Sequence, residues 1–321
     1  MAVLIDPPSW PAHGTVWSHL VSDSSLAELH DAAARIGLSP RSFDLDHYDV
    51  AAERYQDAVA AGAHPVSGRE LVVRLAASGL RVRGRDRGAG KAHALRTRWD
   101  ALLPDDHVRG ARDVGHELVE RWGEPHRAYH GREHLVHVLD SLALLEGRPP
   151  GLPAGPAPIA ATRRTDGSRV TELAVWFHDA VHDGVARQDE ERSAELAVRL
   201  LGPLARPGSG ADLTPDDVDE VARLVLLTRD HDPDPADTAG SLLSDADLAI
   251  LGSAPDRYAR YVRQVRAEYA AVPDDVFVPA RAAVLEQLLS TGALFRTVAG
   301  ARRWQDRAES NLRDELAGLR A

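Results

Sequence analysis

The segment HRAYHGREHLVHVLD carries four histidines, His126, His130, His134 and His137. The last three fall on neighbouring positions of a single helical face. By itself that cluster equally describes a solvated polar face. The segment TELAVWFHDAVHDG changes the weighting, because Val175, Trp176 and Phe177 run directly into His178 and Asp179, with His182 and Asp183 one turn later. Adjacent helical side chains diverge by about 100°, so a His-Asp pair reaches one ion only from a core-facing helix edge. A third stretch, LLSDADLAILG, takes two acids, Asp245 and Asp247, into another apolar helix. Buried carboxylates repel, and a buried charge without a partner costs several kcal/mol. A divalent cation shared with His134, His178 and Asp179 would neutralise them, and imidazole with carboxylate suits Mn, Fe, Zn, Ni, Co or Mg rather than a thiolate-selective metal.

Composition narrows the chemistry further. The 321 residues contain no cysteine, which removes disulfides, thiolate zinc sites and cysteine nucleophiles. Lys91 is the only lysine, so a P-loop or Schiff-base lysine is missing from most of the chain. A net charge of -11 argues against a nucleic-acid partner, which needs clustered positive charge, and favours a small substrate. No export signal or long apolar run stands out, so the expected setting is cytoplasmic with no membrane partner.

The elements that must position these residues divide in two. Residues 1–83 read as a small α/β domain: a strand at Val3 to Ile5, a helix opened by Ser25 with Glu28 and closed by Gly37, a strand near Phe43 to Leu45, and a helix opened by Ser67 with Glu70. Residues 84–94 are Gly- and Arg-rich and read as a solvated linker. Residues 95–321 are helix-periodic throughout, so the fold class is mainly α. The proline-dense stretch Arg148 to Ser168 reads as an exposed, mobile excursion.

The stretches PHRAYHGREH, VWFHDAVHD, DEERSAELA, DADLAILG and ESNLRDEL resemble the HD superfamily of metal-dependent phosphohydrolases, in a bacterial branch described only as predicted HD phosphohydrolases. The resemblance runs from about Leu95 to Leu319 and implies an all-helical phosphohydrolase domain. Its order of ligands, a His, a His-Asp pair and a distant Asp, points to His134, His178, Asp179 and Asp247, with His134 preferred over His130 and Asp247 over Asp245. His182 departs from that branch, which has tyrosine there, and His182, Asp183 and His231 are further candidates at the pocket. The implied reaction is hydrolysis of a phosphate ester such as a nucleotide by a water that a divalent metal activates. Asp179 would orient that water, Arg127 would meet the phosphate, and Glu190 or Glu191 would protonate the leaving group. Two other functions fit the same residues: a metal- or nucleotide-binding sensor without turnover, and a di-iron oxygenase that recruits His182.

The N-terminal stretches VLIDPPSWPAHGTVWSHLVSD, FDLDHYDV and GAHPVSGRELV resemble a small uncharacterised bacterial domain. Asp6, His19, His47, Tyr48 and Asp49 sit beside its apolar runs. A second site is one reading of them; a structural or partner-binding role is the favoured one.

Overall fold

The computed structural model describes residues 2–12, 15–39, 42–82, 87–103, 108, 110–148, 166–185 and 187–320. The chain separates into two compact units, one of Met1–Lys91, the other of Ala92–Arg148 with Leu152–Ala321.

The first unit runs β1 (Val3–Ile5), β2 (Trp10–Ala12), β3 (Thr15–Ser22), α1 (Leu26–Ile36), β4 (Tyr48–Ala51), α2 (Tyr55–Ala60), β5 (His64–Pro65) and α3 (Gly68–Ala77). β3 pairs antiparallel with β1, β2 and β4, and β1 pairs in parallel with β5. Side chains alternate across a strand. Ile5, Leu20, Tyr48 and Val50 therefore pack with Leu29 and Ala33 of α1, while Leu4 and Val21 pack with Leu71 and Leu75 of α3. Both helices start as their caps predict: Ser25 and Ser67 accept from the backbone N–H groups of Glu28 and Glu70. Gly37, at φ 73°, closes α1 in the left-handed conformation glycine favours.

Two expectations shift. The strand expected near Phe43 to Leu45 lies instead at Tyr48–Ala51, with Phe43 making an isolated bridge to Tyr48. Leu45 has φ 63°, which breaks any extended run there. The Gly- and Arg-rich run read as a linker becomes helical at Arg87, the first residue of α4 (Arg87–Leu102). The proline-dense stretch falls largely on residues 149–165, outside those described.

The second unit is helical among its described residues. After α4 come α5 (Ala111–Arg121), α6 (Arg132–Leu145), α7 (Asp166–Phe177), α8 (Gln188–Leu201), α9 (Pro215–Leu227), α10 (Thr238–Leu248), α11 (Pro255–Glu268), α12 (Asp274–Ser290) and α13 (Val298–Leu319). α7 packs against α6, α8, α9 and α10. Its Leu173, Val175, Trp176 and Phe177 are fully buried, each such side chain being worth about 1.5–3 kcal/mol. Trp122 Nε1 donates to the carbonyl of Trp176 at 3.0 Å, which pins the end of α7. A second core gathers Tyr258, Tyr261, Leu285, Trp304 and Leu312 from α11, α12 and α13. The protein is thus mainly α with a small N-terminal sheet. No helix among the described residues is long and apolar enough to cross a membrane.

Candidate metal centre

Three helices of the second unit deliver four side chains to one point. His134 lies in the first turn of α6, and its neighbour Leu135 is fully buried, so the helix face that fills the core also carries the imidazole inward. His178 and Asp179 follow the last residue of α7, where the His178 N–H still bonds the Ala174 carbonyl. That extra bond continues the helical path just far enough to keep both side chains on the buried edge. Asp247 is the penultimate residue of α10.

The donor atoms are close-set. His134 Nε2 is 3.2 Å from His178 Nε2, 3.1 Å from Asp247 Oδ1 and 3.6 Å from Asp179 Oδ2. His178 Nε2 is 3.3 Å from Asp179 Oδ2 and 3.6 Å from Asp247 Oδ1. Metal–ligand bonds of about 2.0–2.2 Å place neighbouring donors roughly 3.0–3.5 Å apart, so these spacings suit a shared ion. The imidazoles are buried, whereas the Asp179 and Asp247 side chains keep 18% and 15% exposure, leaving a way in for solvent.

Proton placement supports the same reading. The carbonyl of Val175 accepts from His178 Nδ1 at 2.8 Å, so the lone pair of the neutral ring lies on Nε2, towards the other donors. His134 Nδ1 is buried without a hydrogen-bond partner. Two Nε2 atoms 3.2 Å apart share at most one proton comfortably, and a cation removes the conflict. Burial disfavours charge on all four groups. The mutual attraction of imidazole and carboxylate overcomes it, raising both histidines above their usual range and holding both aspartates well below theirs. The donor set is two imidazoles and two carboxylates with no thiolate, and a cation would take the place of the protons that the carboxylates draw onto the rings. It fits a borderline divalent ion held by His134, His178, Asp179 and Asp247.

The remaining expected residues part company. Asp245 is fully buried, but its Oδ1 accepts from the N–H of Arg296 and its Oδ2 from the N–H and hydroxyl of Thr297 at 2.8 and 2.6 Å. It ties α10 to the N-cap of α13, so it is a structural anchor rather than a ligand. Arg127, expected to meet the phosphate, has a fully buried side chain. It donates to the carbonyls of His130, Asp179 and Ala180 and to Glu124, so it braces the turn that carries Asp179 instead of facing a substrate. Asp183 is exposed and paired with Arg192, and Glu191 is also exposed; neither reaches the centre.

His130 lies in the turn before α6 rather than on the helix. Glu268, at the end of α11, accepts from His130 Nδ1 at 2.7 Å and, through its other oxygen, from the N–H groups of Tyr129 and His130. The His182 ring lies against that of His130, 4.1 Å between centroids, and burial beside His130 lowers it to about 4, which keeps it neutral. His231 does reach the centre. Its Nε2 is 3.4 Å from Asp247 Oδ2 and its Nδ1 is 3.1 Å from Ser244 Oγ. Its backbone has φ 50°, a strained value for a residue with a side chain. Glu190 is half-buried with Oε2 unpartnered; burial, then the charges of Asp179 and Asp189, raises it above the usual carboxylate range.

Three contributors had no distinct signal in sequence. Glu268 stands 138 positions from His130 on an ordinary amphipathic helix. Trp122 and Tyr129 are not singled out by the motifs, yet Trp122 lies 5.3 Å from the His178 ring and Tyr129 4.8 Å from the His134 ring, walling the centre.

Comparison with known proteins addresses the other unit. A family model described as a protein of unknown function (DUF4031) matches residues 3–78. No curated protein and no solved structure matches the chain. Residues 3–78 span β1 to α3, so that likeness concerns the N-terminal sheet and its helices and names no activity for them.

Proposed function

We propose that the helical unit is a metal-dependent phosphohydrolase of the HD type acting on a small phosphate ester, such as a nucleotide. The observation that carries this reading is the convergence of His134, His178, Asp179 and Asp247, with each histidine Nε2 3.1–3.6 Å from the other's and from an oxygen of each aspartate. A divalent cation held there supplies Lewis acidity and lowers the pKa of water towards neutrality.

The chain's own groups divide the remaining work. Asp179 turns Oδ2 to the imidazoles, leaving Oδ1 to orient a water. Arg127 keeps Asp179 in place through the carbonyls on either side of the turn. Glu190, whose carboxyl burial and the charges of Asp179 and Asp189 raise above the usual range, is the candidate donor to the leaving oxygen. With Arg127 engaged, the phosphate-holding role passes to Arg257, which lines a cleft with Tyr129, Glu133 and His134, while Arg260 in the same cleft donates to Glu133 at 2.7 Å.

The di-iron reading would draw on His130, His182 and Glu268, whose donor atoms lie within 4.8 Å of one another. It would require His130 and Glu268 to give up their 2.7 Å contact. The test is a panel of phosphomonoesters and diesters with Mn²⁺-loaded protein beside Asp247→Ala and Asp179→Ala. Turnover by the parent, abolished in both variants, is expected. Equal turnover in all three would overturn the hydrolytic role of this centre, and a parent inert across the panel but retaining one ion would favour a sensor.

A further inference from the structure

The N-terminal sheet brings a second set of chemistry-bearing residues together. In the β3–β4 register His19 stands directly opposite Asp49, so their side chains share a face. That face also carries Asp6, just past β1, since Leu4 and Val21 two positions away lie on the α3 side. His47 precedes β4 and turns its ring against that of His19, 5.0 Å between centroids and nearly perpendicular.

Each imidazole is held by a buried carboxylate through Nδ1. Asp6 Oδ2 lies 3.2 Å from His19 Nδ1 and also accepts from Trp10 Nε1 at 3.3 Å, while Asp6 Oδ1 accepts the His19 N–H. Asp46 Oδ1 lies 2.6 Å from His47 Nδ1, and its Oδ2 accepts the Val82 N–H at 2.6 Å. Both carboxylates are thereby fixed on two sides, and both rings have Nδ1–H committed. The two Nε2 atoms then face one oxygen, Asp49 Oδ1, at 3.5 Å from His47 and 3.9 Å from His19. These distances are too long for good hydrogen bonds. The first lies at the upper end of the roughly 3.0–3.5 Å between ligands of one ion, and the second is a few tenths of an ångström wider. Asp49 is 45% exposed and can close that gap by a side-chain rotation. Trp10, 56% exposed, stands edge-on to His19 as a wall on the open side.

A carboxylate behind each of two histidines, with the free nitrogens aimed at a third carboxylate, is the arrangement by which proteins orient metal-ligating imidazoles. We propose that His19 Nε2, His47 Nε2 and Asp49 Oδ1 form a divalent-cation site in the N-terminal unit, with Asp6 and Asp46 as the positioning carboxylates. Two histidines and one carboxylate select a borderline ion such as Fe, Co, Ni or Zn and leave positions open to water or an oxygen-donor ligand. The arrangement shares no residue with the helical centre, so the proposal stands apart from the phosphohydrolase reading.

The test uses the full chain carrying His178→Ala and Asp247→Ala, which remove the helical centre, titrated with Co²⁺ and followed by its visible absorption and by metal analysis. One equivalent of Co²⁺ is expected. His47→Ala should abolish it, Asp46→Asn should weaken it about 10- to 100-fold, and His64→Ala, on the exposed strand β5, should leave it unchanged. Circular dichroism confirms that each variant is folded. The proposal is overturned if the parent binds no cobalt, or if the His47→Ala protein, folded, binds it as before.

Discussion

The two histidine clusters of this protein solve one electrostatic problem in different ways. In the helical unit, imidazoles and carboxylates come from helix ends sunk into an aromatic core, and each carboxylate lies within 3.6 Å of both rings. In the sheet unit, separate carboxylates take the Nδ1 side of each ring, and the shared carboxylate stands 3.5 and 3.9 Å off, half in solvent. The deep cluster uses its acids at the centre, so its charge balance depends on a cation or on protonated histidines. The shallow cluster places its buried acids behind the rings, where backbone N–H groups and tryptophan already satisfy them. Depth thus predicts that the first site is coupled to the stability of the fold and the second far less so.

Stripping the metal should expose that difference most sharply. A ligand present at about a thousand times its dissociation constant stabilises the folded state by about 4 kcal/mol. Chelation should therefore lower the thermal unfolding midpoint of the helical unit by several degrees in the parent protein, while the His178→Ala, Asp247→Ala protein shows little further loss. Equal loss in both would mean that the helical centre contributes no such coupling.

A smaller effect separates ligand from anchor within α10. Asp245→Ala removes three hydrogen bonds to a buried carboxylate at the start of α13, and hydrogen bonds to charged groups are worth about 1.5–3 kcal/mol each, not additively. A loss of roughly 3 kcal/mol in urea unfolding is expected, with metal content per folded molecule unchanged. Loss of the ion at unchanged stability would reverse the assignments of Asp245 and Asp247.

The smallest effect concerns Glu268. Burial pushes its carboxyl up, but the hydrogen bond and charge of His130, with the two backbone N–H groups, bring it down to about 2 from its ordinary 4.5. A carboxyl depressed on folding stabilises the protein above its unfolded pKa, and that contribution fades as pH falls from about 4.5 towards 2. Glu268→Gln should thus flatten the fall in unfolding midpoint between pH 5 and 3 relative to the parent. An unchanged slope would show that the His130–Glu268 contact does not hold in solution.

Much of this is legible in the sequence alone. Helical periodicity, the capping serines Ser25 and Ser67 and the terminal Gly37 are local signals, and the helices they mark are present. The run of Val175, Trp176 and Phe177 marked the buried approach to His178 and Asp179 because a helix segment that apolar belongs in a core. The central strand β3 went unread, since its outer half alternates while Leu20 to Ser22 are all buried, against α1 on one face and α3 on the other. Arg127 was misread as a substrate contact for a related reason: a charged side chain looks the same in sequence whether it faces a phosphate or three carbonyls.

The sequence by itself determined which residue types were available for chemistry, a cysteine-free set of imidazoles and carboxylates, and the local elements that carry them. The tertiary structure alone decided which of them meet. Whether Asp245 or Asp247 turns to the histidines depends on the α10 face presented to α6 and α7, and whether His19 meets His47 depends on the β3–β4 register. These choices follow from long-range packing, in which positions a hundred residues apart are brought within a few ångströms by the burial of apolar surface, and no local pattern encodes that outcome.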